Sequence, residues 1–294
     1  MLSGGFWKRC MCSMDVILGG TGHVGRAVAE ILLAAGHEVT VVSRRGARST
    51  LARSFSTVAL DVTDTSALQA VFQKALRVFV LNPPAAVSGN TDVEERRTVR
   101  SILKALQGIH LEKLVVQSTY GAQRGEHCGD LGVLYELEQG AFRLDVPVCI
   151  VRAAYYMSNW AGLLKEVKVT GVMKTLLPSA QAFPMVAPED VGHFAGQMLL
   201  SNEGQDGIYN IEGPKAYTPT EVADVFTNLL GRSVQAQSVP QDEWYATYLA
   251  NGFSAKAARS YATMTGLFVH QHYELPIDPH RGPTDLETCL RGFL

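Results

Sequence analysis

The sequence has little that would carry it into a membrane or onto a nucleic acid. No apolar run reaches the length needed to span a bilayer. Residues 1–13, MLSGGFWKRCMCS, hold one Lys-Arg pair but no apolar core after it, so they do not read as a secretory signal. We expect a disordered extension over residues 1–13 and a soluble, cytoplasmic protein. The 26 basic and 28 acidic residues are dispersed, with a formal net charge of −2, and no basic block stands ready to grip phosphate backbones. Cysteine is equally uninformative as a framework. Cys10, Cys12, Cys128, Cys149 and Cys289 are odd in number and lack zinc or redox spacing, so they read as reduced thiols. His270-Gln271-His272 offers two imidazoles but no acidic or thiol partner at ligand spacing, so no metal is expected.

What is present is a regular alternation of apolar strands and amphipathic helices. Strands are expected over residues 15–20, 38–43, 56–62, 77–82, 113–118 and 146–152. Helices are expected over 24–35, 64–75, 92–107 and 133–144. Alternation of this kind requires crossovers, and right-handed crossovers build a doubly wound parallel sheet. The near-continuous apolar strands agree with a sheet covered on both faces. Beyond residue 152 the rhythm loosens. A strand-to-helix passage spans 184–200, a strand 207–213, a helix 218–231 and a further strand 233–240. Thr218, Pro219 and Glu221 supply the cap, the first-turn proline and the capping box of that last helix. The fold class is therefore α/β: a Rossmann doubly wound parallel sheet over 14–152, followed by a small C-terminal α/β substrate portion, 153–294, interleaved with it. Glu94-Glu95-Arg96-Arg97 reads as a solvated helix face with local ion pairs. Cys128 and the Glu126-His127 pair fall in a polar loop.

The strongest motif is Gly19-Gly20-Thr21-Gly22-His23-Val24-Gly25, lying between the first strand and the first helix. That is the setting a dinucleotide loop requires. Glycine permits the tight turn and close backbone approach to a pyrophosphate, which then sits at a helix N-terminus. A site for NAD places an acid near the end of the second strand to hold the ribose hydroxyls. Here the segment is Val41-Val42-Ser43-Arg44-Arg45, with no acid. Arg44 and Arg45 suit a 2′-phosphate instead, so NADP(H) is expected in preference to NAD(H). Asp61 and Val62 follow the third strand as an expected adenine contact, with Asp64 as the alternative reading, a helix cap. Asn82 and Pro83 end the fourth strand at the edge where cofactors lie.

These residues together resemble the NmrA-like group of atypical short-chain dehydrogenases. The same resemblance runs through Ser118-Thr119-Tyr120-Gly121, Val151-Arg152, Met157-Ser158-Asn159, Pro188-Glu189-Asp190-Val191, Tyr209-Asn210-Ile211-Glu212-Gly213-Pro214 and Leu230-Gly231-Arg232. It covers roughly residues 15 to 245, and the ordered series is far more specific than the glycine loop alone. The resemblance implies a Rossmann domain with a small substrate domain. Such families include NADPH-dependent quinone and dye reductases and non-catalytic NADP(H) sensors that act through protein partners.

Short-chain dehydrogenases of the standard type pair a tyrosine with a lysine four residues later, lowering the phenol pKa for proton transfer. No lysine occurs between Lys113 and Lys165. Tyr135 is followed at that spacing by Gln139, and Tyr120 by Arg124. Catalytic candidates are thus limited to Ser118, Tyr120 and Tyr135. Ser118 and Thr119 are expected beside a nicotinamide, and Tyr120, Tyr155, Tyr156, Asn159 and Trp160 around a substrate. Two readings follow. The preferred one is an NADPH-dependent reductase of a small quinone-like or conjugated carbonyl compound, in which the cofactor carries the hard step. The alternative is a sensor without turnover, whose cofactor occupancy is read by a protein partner. A homodimer through exposed helices is compatible with either.

Overall fold

The structure is a computed structural model and describes residues 14–44, 55–201 and 206–294. The terminal extension, Cys10, Cys12 and Arg45 lie outside the described residues. The first half alternates as β1 (Met14–Leu18), α1 (His23–Ala34), β2 (Glu38–Ser43), β3 (Ser56–Ala59), α2 (Thr65–Phe72), β4 (Ala75–Val80), α3 (Thr91–Leu106), β5 (Lys113–Thr119), α4 (Asp130–Ala141) and β6 (Val148–Ala153). Strands β1, β2, β4, β5 and β6 are rich in apolar residues and buried on both faces: Val16, Ile17, Val41, Val42, Val78, Phe79, Val115 and Val116 are all fully enclosed, whereas β3 at the sheet edge is largely exposed.

The second half contains β7 (Tyr155–Tyr156), a 3-10 helix (Met157–Leu163), α5 (Leu164–Thr170), β8 (Val172–Thr175), β9 (Phe183–Val186) and α6 (Pro188–Leu200). It continues as β10 (Gly207–Glu212), β11 (Ala216–Tyr217), α7 (Pro219–Leu230), β12 (Gln235–Ser238), α8 (Trp244–Ala250), α9 (Ala255–Val269), β13 (His280–Arg281) and α10 (Leu286–Arg291).

The main sheet has eight strands in the order β13-β10-β6-β5-β4-β1-β2-β3. Every pairing in it is parallel. Chain order reverses between β1 and β4, which opens a crevice at the carboxyl ends of those strands. Helices α2, α3 and α4 close one face of the sheet over Leu68, Phe72, Ile102 and Leu137. Helices α1 and α6 close the other over Val28, Leu32, Val191 and Ala195. Two small sheets, β11-β9-β7 and β12-β8, form a separate core with α5, α7 and α10 around Phe183, Phe226 and Trp160.

Most boundaries fall within a few residues of expectation, because periodicity and caps define them. Thr218 accepts from the Glu221 amide, and Glu221 reaches back to the Thr218 amide, as the capping box requires. Asp64 caps α2 through the Ala67 amide. One difference matters for the site. Helix α4 begins at Asp130, three residues before the expected start, because Gly129 at φ +55 provides a turn that other residues resist. This places Asp130 in the first turn, where the helix dipole favours a carboxylate.

Candidate functional site

The glycine loop is shaped by contacts that leave no room for side chains. Gly19 sits at φ +79 and donates its amide to the Val42 carbonyl at 3.0 Å, tying the loop to β2. A Cβ on Gly25 would lie 2.6 Å from the Gly19 oxygen, so only glycine lets α1 pack this closely on the turn. Gly22, by contrast, is open: its Cβ would meet nothing nearer than 3.8 Å. Gly22 also caps α1 without any side-chain hydrogen bond, so the first amides of the helix face outward unclaimed. Thr21 is exposed beside them, and the Val24 side chain is buried beneath. His23 is exposed, and its Nδ1 lies 2.7 Å from Glu189 of α6 and its ring 5.3 Å from that of Phe293.

The strand ends beside this loop carry polar atoms in need of partners. Asn82 Oδ1 and Ser43 Oγ are both buried without one. Uncompensated burial of this kind is costly, and a bound polar ligand at the strand ends would relieve it. Arg44 is exposed at the end of β2. Asp61 accepts from the Thr63 amide and hydroxyl, and these bonds, with the Arg44 charge nearby, hold its carboxyl below the usual range. Val62 turns its side chain into the core and its carbonyl accepts from Ser101, which leaves only its amide for a ligand. The open glycine, the uncapped helix and the orphaned Asn82 and Ser43 oxygens fit a dinucleotide lying across the crevice.

A cavity of about 1470 Å3 runs from Gly19, Gly22 and His23 past Leu81, Asn82, Pro83 and Pro84 into the C-terminal portion. Single ligand sites usually occupy less than about 1000 Å3, so this one has room for a second molecule beside a dinucleotide. Thr119, Tyr120, Tyr155, Tyr156, Asn159 and Trp160 all line it. Tyr155 stacks on Phe268 at 5.5 Å and meets Trp160 at 5.8 Å, which forms an aromatic wall. Trp160 donates its ring N–H to the Met185 sulfur at 3.4 Å.

Two of the three catalytic candidates, Ser118 and Tyr135, are not at the cavity. Side chains alternate along a strand, so Ser118 and Thr119 cannot share a face. Gln117 and Thr119 face the cavity; Ser118 turns the other way, fully buried, and donates to Glu138 of α4 at 2.5 Å. Arg152 closes that network with bonds of 2.8 and 2.6 Å to the same carboxylate. Ser118 is therefore a structural residue of the β5–β6–α4 contact rather than a neighbour of a nicotinamide. Tyr135 stands on α4 away from the cavity lining and has no part in it. Tyr120 does reach the cavity, but its hydroxyl donates to Glu212 at 3.1 Å, and burial with the Glu212 charge drives its pKa well above the normal phenol value. Burial likewise pushes Tyr155 up to about 12. Neither Tyr120 nor Tyr155 is poised to give a proton near neutrality.

Two acids that the sequence reading overlooked do face the cavity. Glu95 is not on a solvated face; it is 2% exposed, and with Asp130 it lines the cavity. The signal was in the spacing: Thr91, Glu95, Thr98, Val99 and Ile102 fall on one helical stripe and all are buried. Arg96 is also largely buried, paired with Asp92 and Glu136. Glu95 Oε1 accepts from the Ala85 amide at 3.0 Å, which holds the side chain just beyond Pro84. Burial raises both carboxyls, Glu95 and Asp130. Glu95 is pushed up to about 8, first by burial and then by the neighbouring Asp130 charge. Cys128 is buried, not in an exposed loop, and burial raises its thiol. Among the described residues no three His, Cys, Asp or Glu side chains gather as a metal site, and no helix is long and apolar enough to cross a membrane.

The parallel sheet with its reversal at β1 and β4, and the glycine turn opening α1 at that point, define a doubly wound α/β protein of the Rossmann type. Within that class, a family model described as the NmrA-like family matches residues 13–288, and the chain belongs to that family. It is similar to the uncharacterized oxidoreductase YesF of Bacillus subtilis (strain 168), 22% identical over 257 residues, covering 87% of this chain and 84% of that protein. The structure is similar to that of Citrobacter sp. triphenylmethane reductase complexed with NADP(H), with a TM-score of 0.78 at 18% identity, covering 96% of this chain and 100% of that one. It is also similar to the NADPH-dependent quinone oxidoreductase QOR2 of Escherichia coli complexed with NADPH, with a TM-score of 0.71 at 16% identity, covering 95% and 99% of the two chains.

Proposed function

We propose that this protein is an NADP(H)-dependent oxidoreductase that reduces a quinone-like or conjugated carbonyl compound. The observation that carries the reading is the continuity of one cavity from the glycine loop to the aromatic wall of Tyr155, Trp160 and Phe268. A dinucleotide laid on the loop and a planar acceptor laid on that wall would share one enclosed space. The related proteins that bind NADP(H) and reduce dyes or quinones support the same reading.

When bound, the reduced nicotinamide supplies the hydride. The residues of this chain supply the rest. The α1 amides and Gly22 would receive the pyrophosphate, Asn82 the nearby polar groups, and Arg44 the 2′-phosphate. Thr119 and Tyr120 border the reacting region. The aromatic wall excludes water and orients a flat acceptor.

Fluorescence titration with NADPH and NADH, followed by a quinone challenge, tests this. We expect tighter binding of NADPH and its oxidation on addition of the quinone. Arg44→Ala should erase most of the preference, on the order of tenfold or more in Kd for loss of charge-assisted bonds. Equal affinity for both nucleotides would refute the NADP(H) assignment. Binding without turnover across a broad acceptor panel would turn the reading to a non-catalytic sensor, which the absence of a tyrosine–lysine pair favours.

A further inference from the structure

We propose that Glu95 and Asp130 act together as the proton donor of this cavity, a carboxylic acid and a carboxylate sharing one proton, in place of the missing tyrosine–lysine pair. The proposal rests on the oxidoreductase reading and assigns the half of the reaction that reading leaves open.

The geometry isolates the pair and points it at the cavity. Glu95 is held from α3 by the Ala85 amide, which occupies Oε1 and leaves the other oxygen to carry the proton. Asp130 comes from the first turn of α4 and is partly accessible from the cavity it lines. Opposite them, Tyr156 of β7 lines the same cavity, and its hydroxyl oxygen is buried with no partner. That orphaned hydroxyl marks a place where a polar ligand atom is wanted, and the field of Asp130 reaches it.

The charged and titratable surroundings are mostly acids and phenols. Asp92 lies on the same helix as Glu95, paired with Arg96 and 3.9 Å from His127. Tyr156 on β7, Tyr248 on α8 and Tyr261 on α9 all feel the Asp130 charge. The largest charges acting on Glu95 are Asp130 and Asp92, both negative, so the site favours one retained proton over two carboxylates.

The chemistry balances as follows. A carbonyl acceptor gains a hydride, with its two electrons, from the reduced nicotinamide, which becomes oxidised. The C=O π electrons move to oxygen, and that oxygen takes the proton from the pair. The pair is left as two carboxylates, and one recovers a proton from water. A triarylmethyl cation differs in kind: it gains the hydride at carbon and needs no proton at all.

That difference supplies the test. Wild type, Glu95→Gln and Asp130→Asn would be compared on a quinone and on a triarylmethyl cation dye, with NADPH binding measured for each. Infrared titration of the protein without nucleotide would follow the protonated carboxyl band. We expect a protonated carboxyl band in wild type at pH 7 that titrates near pH 8 and is absent in Glu95→Gln. We expect quinone reduction to fall about 100-fold in Glu95→Gln and to lose its decline above pH 8, the usual scale for removing a general acid. Dye reduction should stay within about twofold of wild type. Asp130→Asn should show the same split between acceptors if Glu95→Gln does not fold. Parallel changes on both acceptors, or a carboxyl band absent at pH 7, would overturn the proposal while leaving the oxidoreductase reading intact. Failure of wild type to reduce either acceptor while NADPH binds would overturn both.

Discussion

At the scale of single residues, position on an element decides role more than residue type does. Ser118 and Thr119 are neighbours in sequence, yet one is locked to Glu138 in the core and the other faces the cavity. Glu95 sits in a run of four charged residues and is the one with 2% exposure beside the cavity. Its environment has a consequence for stability. Burial and the Asp130 charge push the folded Glu95 carboxyl up to about 8, against the usual 4.5 of an unfolded chain. The native state therefore binds more protons between those values, and stability falls as pH rises through that window. Thermal melts from pH 5 to pH 9 should show the decline in wild type, on the order of a few kcal/mol across the range. Glu95→Gln, which carries no titrating group, should flatten it. An equal slope in both would mean that Glu95 is ionised throughout.

At the scale of elements, caps and turns place the chemistry. Gly129 advances the start of α4 so that Asp130, not a later residue, opens the helix. Gly22 leaves the α1 amides free, whereas Thr218 fully satisfies the start of α7. The two ends do different things because one must receive a ligand and the other only a fold. Thr218→Ala should cost about 1 kcal/mol of stability, read from urea denaturation, because it removes one half of a capping box. Nucleotide affinity should not change, since α7 packs in the C-terminal core away from the glycine loop.

At the scale of the whole molecule, the C-terminal portion is tied into the sheet rather than appended to it. Strand β10 pairs with β6, and α6 packs on α1 beneath the nucleotide loop. A ligand that bridges loop and aromatic wall should therefore stabilise both parts together. Saturating NADPH, at about 100 times its Kd, should raise unfolding free energy by about 2.7 kcal/mol, and NADH at the same concentration by clearly less. Differential scanning calorimetry with each nucleotide measures this, and equal shifts would remove the argument for Arg44.

The sequence by itself determined the alternating elements, the glycine turn, the absent acid after β2 and the absent lysine, because each is a local property. Periods of 2 and 3.6 residues, caps and glycine conformations act over a few neighbours. It also determined the family, since an ordered series of such motifs is specific. Only the tertiary structure decided which side chains meet. Glu95 and Asp130 are 35 positions apart and join because α3 and α4 pack on the same face of the sheet. Tyr156 and Phe268 enter the same cavity from a short strand and a late helix that no local signal relates. Burial converts these groups from solvated acids and core aromatics into a candidate reaction chamber, and burial is set by the packing of the whole chain.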